Sequence, residues 1–176
     1  MKQDCKTLAG MLSIGLLALT PMFAQNSANR LAAGDSTFVT KAAEGGIAEV
    51  KLGTLAKEKA SDAAVKTFGQ QMVDDHSKAN DELKSLASSK GITLPNDMNA
   101  KEKADYDRLS KLSGAEFDKA YMRLMVSDHR TDVNEFRHES EHGADADVKA
   151  WAAKALPTLE HHLQMAESTN TQVMKK

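Results

Sequence analysis

The 176-residue sequence has one cysteine, Cys5, three prolines and eight aromatic side chains. A single cysteine excludes an internal disulfide framework and any cysteine-based zinc ribbon. Scarce proline and the lack of β-branched runs argue against a chain built of strands and leave room for long uninterrupted helices. Positive charges are interleaved with negative ones and form no basic stripe, so nucleic acid is not an expected partner. The chain carries no nucleophile elbow and no phosphate-binding glycine loop. Catalysis without a metal therefore has no support in the sequence. Beyond residue 20 there is no apolar run long enough to cross a bilayer, so no transmembrane helix is expected in the mature chain.

The one long apolar run is Leu8–Leu19. Lys2 and Lys6 precede it, Thr20 and Pro21 break it, and Phe23-Ala24-Gln25 offers a small residue at a cleavage point. This is the layout of a secretory signal peptide over residues 1–24, although Met22 is large for its place before the cut. An uncleaved membrane anchor is the alternative. Cys5 lies ahead of the apolar run, where a lipoprotein attachment cysteine would not sit. Removal of residues 1–24 takes away Cys5, Lys2, Lys6 and Asp4, leaving 21 basic and 24 acidic residues, a net charge of −3. The product is expected in the periplasm or outside the cell, held together by its core alone.

Ala, Lys, Glu, Asp and Leu dominate after residue 35, and this composition favours helices. Four long ones are predicted. The first is capped near Asp35-Ser36 and ends near Ala60. The second is capped by Ser61 or Asp62 and stops at Gly91. The third opens at Ser113, with Glu116 completing a capping box, and ends at Gly143. The fourth runs from about Asp145 to Asn170. The outer connections are tight, whereas Gly91–Leu112 is long, contains Pro95 and carries a short amphipathic piece with Tyr106, Leu109 and Leu112. Short, long, short is the connectivity of a ferritin-like four-helix bundle over residues 35–170: two antiparallel hairpins joined by a crossover. The halves echo one another, with Asp62–Phe68 matching Asp145–Trp151, and Phe38 and Glu49 matching Phe117 and Asp128.

Each predicted helix sets one ionisable side chain on its apolar stripe: Glu49, His76, His129 and His162. Counting from the turns puts the four levels within about 9 Å of one another. One reading is a metal site of one carboxylate and three imidazoles, suited to zinc, iron or copper, with Asp75 and Asp128 as outer acceptors or alternative ligands. The other is a metal-free Glu–His hydrogen-bond network that fixes helix register. Glu135-x-x-His138 and Glu139-x-x-His142 match di-iron ligand spacing, but both lie on one helix near its polar end, where a solvated face is expected. His161 falls off the stripe. Met72, Met122 and Met125 read as core filler. Pro157 lies inside the last helix, and Gly45-Gly46 suggests a close helix approach beside Glu49.

The segments Phe68–Asn80, Phe117–Met122 leading to Asp128-His129, and Leu156–Leu163 resemble the bacterial family known as domain of unknown function 4142. The resemblance spans about residues 35–168. It implies an exported ferritin-like bundle, associated with the periplasm or outer envelope, and no established activity. The family's motif positions fall here on Asp75, His76, Asp128, His129 and His162. Ferritin-like relatives bind metals through paired Glu-x-x-His motifs, which this chain lacks on its inward stripes, so iron storage and di-iron oxidase chemistry are not implied. Two functions follow. One is metal handling or an envelope stress response through a mid-bundle site. The other is a metal-free helical module that binds a partner protein, the envelope or a second copy of itself. A redox enzyme using the metal ranks last.

Overall fold

The computed structural model describes residues 31–176, and the signal-peptide reading of residues 1–24 lies outside them. The described chain forms five helices: α1 Ala33–Lys59, α2 Ala63–Ser89, α3 Ala100–Ser110, α4 Gly114–His142 and α5 Ala146–Met174. Local signals explain most of the boundaries. Asp62 caps α2 by accepting from Ala64 N at 2.8 Å. Asp145 caps α5 by accepting from the amides of Asp147 and Val148. Asn99 and Glu102 form a reciprocal capping box on α3. Gly91, at φ 66°, ends the chain's run out of α2.

Three boundaries differ from expectation. Asp35 does not cap α1, which begins two residues earlier. Its carboxylate is turned instead to the α4–α5 turn, where it accepts from Ala144 N at 3.0 Å and Asp145 N at 2.7 Å. Ser113 precedes α4 without making a side-chain cap bond. Gly114 follows it at φ 60°, outside helical geometry, so the capping box with Glu116 does not form. Finally, α5 runs past Asn170 to Met174, because Thr169 and Val173 extend its buried stripe.

The fold is a ferritin-like four-helix bundle. α1 packs along α2 and α4 along α5, and the crossover carrying α3 joins the two hairpins. Met98 and Leu109 pin the crossover into the core. At the far end of the bundle Asp118, in the first turn of α4, accepts from the amides of Ser61 and Asp62 in the α1–α2 turn and from the Ser61 hydroxyl. Each hairpin's turn is thus held by an aspartate from the other hairpin. This reciprocity sets the register of the internal echo. Asp35 corresponds to Asp118, and the same spacing then places Glu49 opposite Asp132, one helical turn beyond Asp128.

The apolar core is divided. One cluster contains Leu52, Val65, Phe68, Met72, Phe117, Tyr121, Met122 and Met125. The other contains Phe38, Val39, Leu83, Val148, Trp151 and Ala152. On each long helix the stripe residue between them is the ionisable one: Glu49, His76, His129 or His162, all buried. Within the first hairpin α1 and α2 touch backbone to backbone. A Cβ on Gly69 would lie 2.8 Å from Gly53 O and 2.8 Å from Ala56 Cβ. Of the Gly45-Gly46 pair, Gly46 makes the close approach, against the Asn80 side chain, while a Cβ on Gly45 would meet nothing nearer than 4.0 Å. Pro157 lies within α5 on its exposed side. The carbonyl of Ala153 that it frees is also on the exposed side, which makes the proline tolerable.

Removing either hairpin lock leaves amide donors in a partly buried turn. Asp35→Ala and Asp118→Ala are each expected to cost about 2 kcal/mol, lowering the thermal midpoint by about 4–8 °C. Gly69→Ala forces two backbones apart and should cost about 1–3 kcal/mol. Thermal denaturation followed by circular dichroism checks all three, and unchanged midpoints would refute the assigned roles.

Candidate metal centre

His129 is wholly buried, and its Nδ1 lies 3.0 Å from the carbonyl oxygen of Met125, one turn back on α4. A carbonyl can only accept, so Nδ1 carries the proton and Nε2 carries the lone pair. His162 Nε2 lies 2.8 Å from Asp75 Oδ2. Burial alone would raise the Asp75 carboxyl, but hydrogen bonds from Gln71 and His162 outweigh it and hold the group below its usual value. Asp75 is therefore ionised and accepts, so His162 Nδ1 carries the lone pair. His76 Nε2, His129 Nε2 and His162 Nδ1 are all buried and have no hydrogen-bond partner in the protein.

The three rings meet in mid-bundle, with centroids 5.3–5.8 Å apart. One ring nitrogen from each histidine lies within 4.8 Å of the other two. Nitrogens sharing a tetrahedral zinc-type ion stand about 3.4 Å apart. A contraction of roughly an ångström or more between rings would close such a site, within reach of small side-chain rotations. Their charge state also suits ligation. Burial, then repulsion from the other two imidazoles, holds His76 well below the ordinary histidine range. Burial lowers His129 against the pull of Asp132, and lowers His162 to about 4 against its bond to Asp75. All three are neutral near pH 7, as metal ligands must be. The outer bonds to a carboxylate and a backbone carbonyl are those that fix ring orientation in metal-bound histidines.

The fourth expected residue sits apart. Glu49 Oε1 is 3.8 Å from His129 Nδ1, the nitrogen already bonded to Met125, so Glu49 stands on the protonated side of His129. Burial, then repulsion from Asp128 and Glu102, pushes its carboxyl up to about 8. Asp128 faces α3, with Lys101 Nζ at 3.7 Å. Asp75 holds His162 from outside. The surface pair behaves as expected of a solvated face: His138 and His142 are exposed and stack on one another with centroids 4.8 Å apart. His161 is exposed as well.

Sequence reasoning missed Asp132, whose carboxyl burial raises to about 7 despite the neighbouring His129. It lines a cavity of about 160 Å³ together with Asp75, His76 and His162. The signal that points to it is its position opposite Glu49 in the internal echo, which emerges when the halves are aligned on the hairpin locks and not on Phe38 and Phe117.

The raised Glu49 carboxyl has a definite effect on stability. The folded state holds this proton more tightly than the unfolded chain, so ionising it costs stability as pH rises from about 4.5 to about 8. The depressed histidines act in the opposite sense, losing stability as pH falls from 6.5 through the value of about 4 for His162. In the metal-free protein Glu49→Gln should leave the thermal midpoint nearly unchanged at pH 4.5 and raise it by several degrees at pH 8. Equal differences at the two pH values would show that Glu49 does not titrate as described.

No curated protein matches the chain. Among solved structures it is similar to a DUF305 fragment from Deinococcus radiodurans, at 13% identity and TM-score 0.71, covering 81% of this chain and 98% of that one. It is also similar to a protein of Streptomyces coelicolor described as "putative secreted protein DUF305", at 14% identity and TM-score 0.68, covering 80% and 92%. A conserved hypothetical protein, rv2844, of Mycobacterium tuberculosis follows at 17% identity and TM-score 0.62, covering 78% and 91%. These likenesses establish the fold. The family described as "Domain of unknown function (DUF4142)" matches residues 20–169, and the chain belongs to that family.

Proposed function

We propose that this protein is an exported helical bundle that binds one transition-metal ion in mid-bundle through His76, His129 and His162, in metal handling or an envelope stress response. The carrying observation is the set of three buried, neutral imidazoles that bring one ring nitrogen each within 4.8 Å of the others, together with a buried nitrogen on each ring that has no partner in the protein. A register-fixing network would pair those nitrogens with one another or with donors. Left as they are, each costs on the order of 1–3 kcal/mol of lost hydration, which a metal ion would offset.

Three imidazoles suit zinc, copper or iron. Glu49 stands beside His129, where an ionised carboxylate would balance the charge of a cation, and Asp75 would orient His162. Three histidines leave a fourth coordination position for a further ligand, and His76 and His162 also line a neighbouring cavity. Export is supported by the leader-like layout of residues 1–24 and by the description of the Streptomyces structure. No helix among the described residues is long and apolar enough to cross a membrane.

Calorimetric titration of the mature, untagged protein with zinc and with copper tests the proposal. One equivalent should bind, and ligand at a hundred times its Kd should add about 2.7 kcal/mol of stability. His76→Ala combined with His129→Ala should abolish this. His76→Leu with His129→Leu should also lose the metal while keeping the fold, since apolar side chains repack a buried polar site at little cost. A protein that ignores zinc, copper and iron, or a double variant that binds as wild type does, would end this reading and favour a metal-free module that binds a partner or the envelope.

A further inference from the structure

Two histidines of α4 take no part in the buried centre. His138 and His142 stand four residues apart at the end of the helix and are both exposed. Side chains at this spacing are neighbours on a helix surface. Their rings lie with centroids 4.8 Å apart and planes 14° from parallel. No two of the three buried rings are as close. His142 Nδ1 lies 3.2 Å from the carbonyl oxygen of His138. That carbonyl can only accept, so Nδ1 of His142 carries the proton and Nε2 keeps the lone pair. His129 makes the same contact to the carbonyl of Met125 one turn back. A carbonyl behind one ring nitrogen orients an imidazole for metal binding through the other.

The surroundings favour a cation. His142 lies in the last turn of α4 and His138 just before it, where the free carbonyls and the helix dipole present negative charge. Glu141 Oε2 is 3.9 Å from His142 Nδ1. Nearby basic side chains are committed elsewhere: Lys41 to Glu135, Arg137 to Glu160, and Lys149 to the carbonyl of Glu141. The carboxylates of the two Glu-x-x-His matches do not join the pair. Glu135 holds Lys41. Glu139 is buried against the α4–α5 turn, where a Cβ on Gly143 would lie 2.6 Å from its Oε1. What this segment offers is therefore His-x-x-x-His, the spacing at which two imidazoles on one helix face grip a single ion.

We infer that His138 and His142 form a second, solvent-exposed site for a divalent transition-metal ion, copper(II) ahead of zinc, with water in the remaining positions. Two nitrogens on adjacent corners suit the tetragonal geometry of copper(II), which also stands above nickel and zinc in affinity for a given nitrogen site. Nitrogens sharing such an ion stand about 3 Å apart. Both side chains are exposed, so the rotations that bring their nitrogens together displace only solvent. His138 stands about 13 Å along α4 from His129. The inference does not rest on the buried centre, and the two sites fill independently.

The test titrates copper(II) into the mature, untagged, metal-free protein. Calorimetry counts the equivalents, and electron paramagnetic resonance reads the number of nitrogen ligands. His138→Gln and His142→Gln alter exposed side chains and should leave the thermal midpoint of the metal-free protein unchanged. Each is expected to remove one copper equivalent, or to weaken it by at least about tenfold. The difference spectrum between wild type and either variant should be that of copper on two imidazoles. His161→Gln removes another exposed histidine and should bind as wild type does. The difference between wild type and His142→Gln counts this site whether or not the buried one fills. A single equivalent that disappears with His142→Gln would therefore end the buried reading and leave this one standing. The same copper stoichiometry and affinity in wild type and both variants would overturn the inference. So would an equal loss in His161→Gln, which marks scattered surface binding, or zinc held more tightly than copper.

Discussion

The structure is organised around a layer of ionisable side chains that interrupts its hydrophobic core. Glu49, His76, His129 and His162 lie between two apolar clusters, and none has more than 8% of its surface exposed. Burying such groups is costly unless they stay neutral or find partners. The chain adopts the first solution: burial keeps the imidazoles unprotonated and the Glu49 carboxyl protonated near pH 7. The second solution is only half used. Outer nitrogens of two histidines are bonded, to Met125 and Asp75, while the inner ones are left without partners. The layer is thus bonded on its outside and bare on its inside.

That arrangement demands that four helices keep their heights to within a fraction of a turn. The two hairpin locks supply the constraint. Asp35 ties the start of α1 to the α4–α5 turn, and Asp118 ties the start of α4 to the α1–α2 turn, at opposite ends of the bundle. A sliding hairpin would break one set of bonds or the other. The Gly53–Gly69 contact adds a third constraint inside the first hairpin, because only glycine lets the two backbones come so close. These features lie away from the histidine layer, yet they determine whether the three imidazoles meet.

The ligand chemistry departs from that of di-iron bundles with the same connectivity. Those centres draw on carboxylates from all four helices, paired with Glu-x-x-His motifs. Here the convergent donors are three neutral nitrogens from α2, α4 and α5, and the carboxylate of α1 stands behind one of them. The two Glu-x-x-His matches on α4 do not reach the layer, since His138 and His142 lie on the surface. An ion in this centre would be bound by neutral imidazoles, with its charge balanced by the carboxylates of Glu49 and Asp75 standing behind His129 and His162.

Much of this was written in the linear chain. Periodicity placed the four long helices, loop lengths implied the hairpin–crossover–hairpin order, and the polar interruptions at Glu49, His76, His129 and His162 could be read because an amphipathic stripe is a local, 3.6-residue pattern. What the stripe does not encode is azimuth and height relative to other helices. The level of His129 against His162 depends on Asp35, Asp118 and the Gly53–Gly69 contact, each of which joins residues distant in sequence. For the same reason Asp35 looked like a helix cap when it serves another hairpin's turn, and Asp132 was missed. The order of residues was enough to dictate which side chains face inward. Which nitrogens converge, which carboxylate stands aside and where the cavity opens were fixed only when the bundle assembled, because those depend on how rigid helices dock and not on the pattern within any one of them.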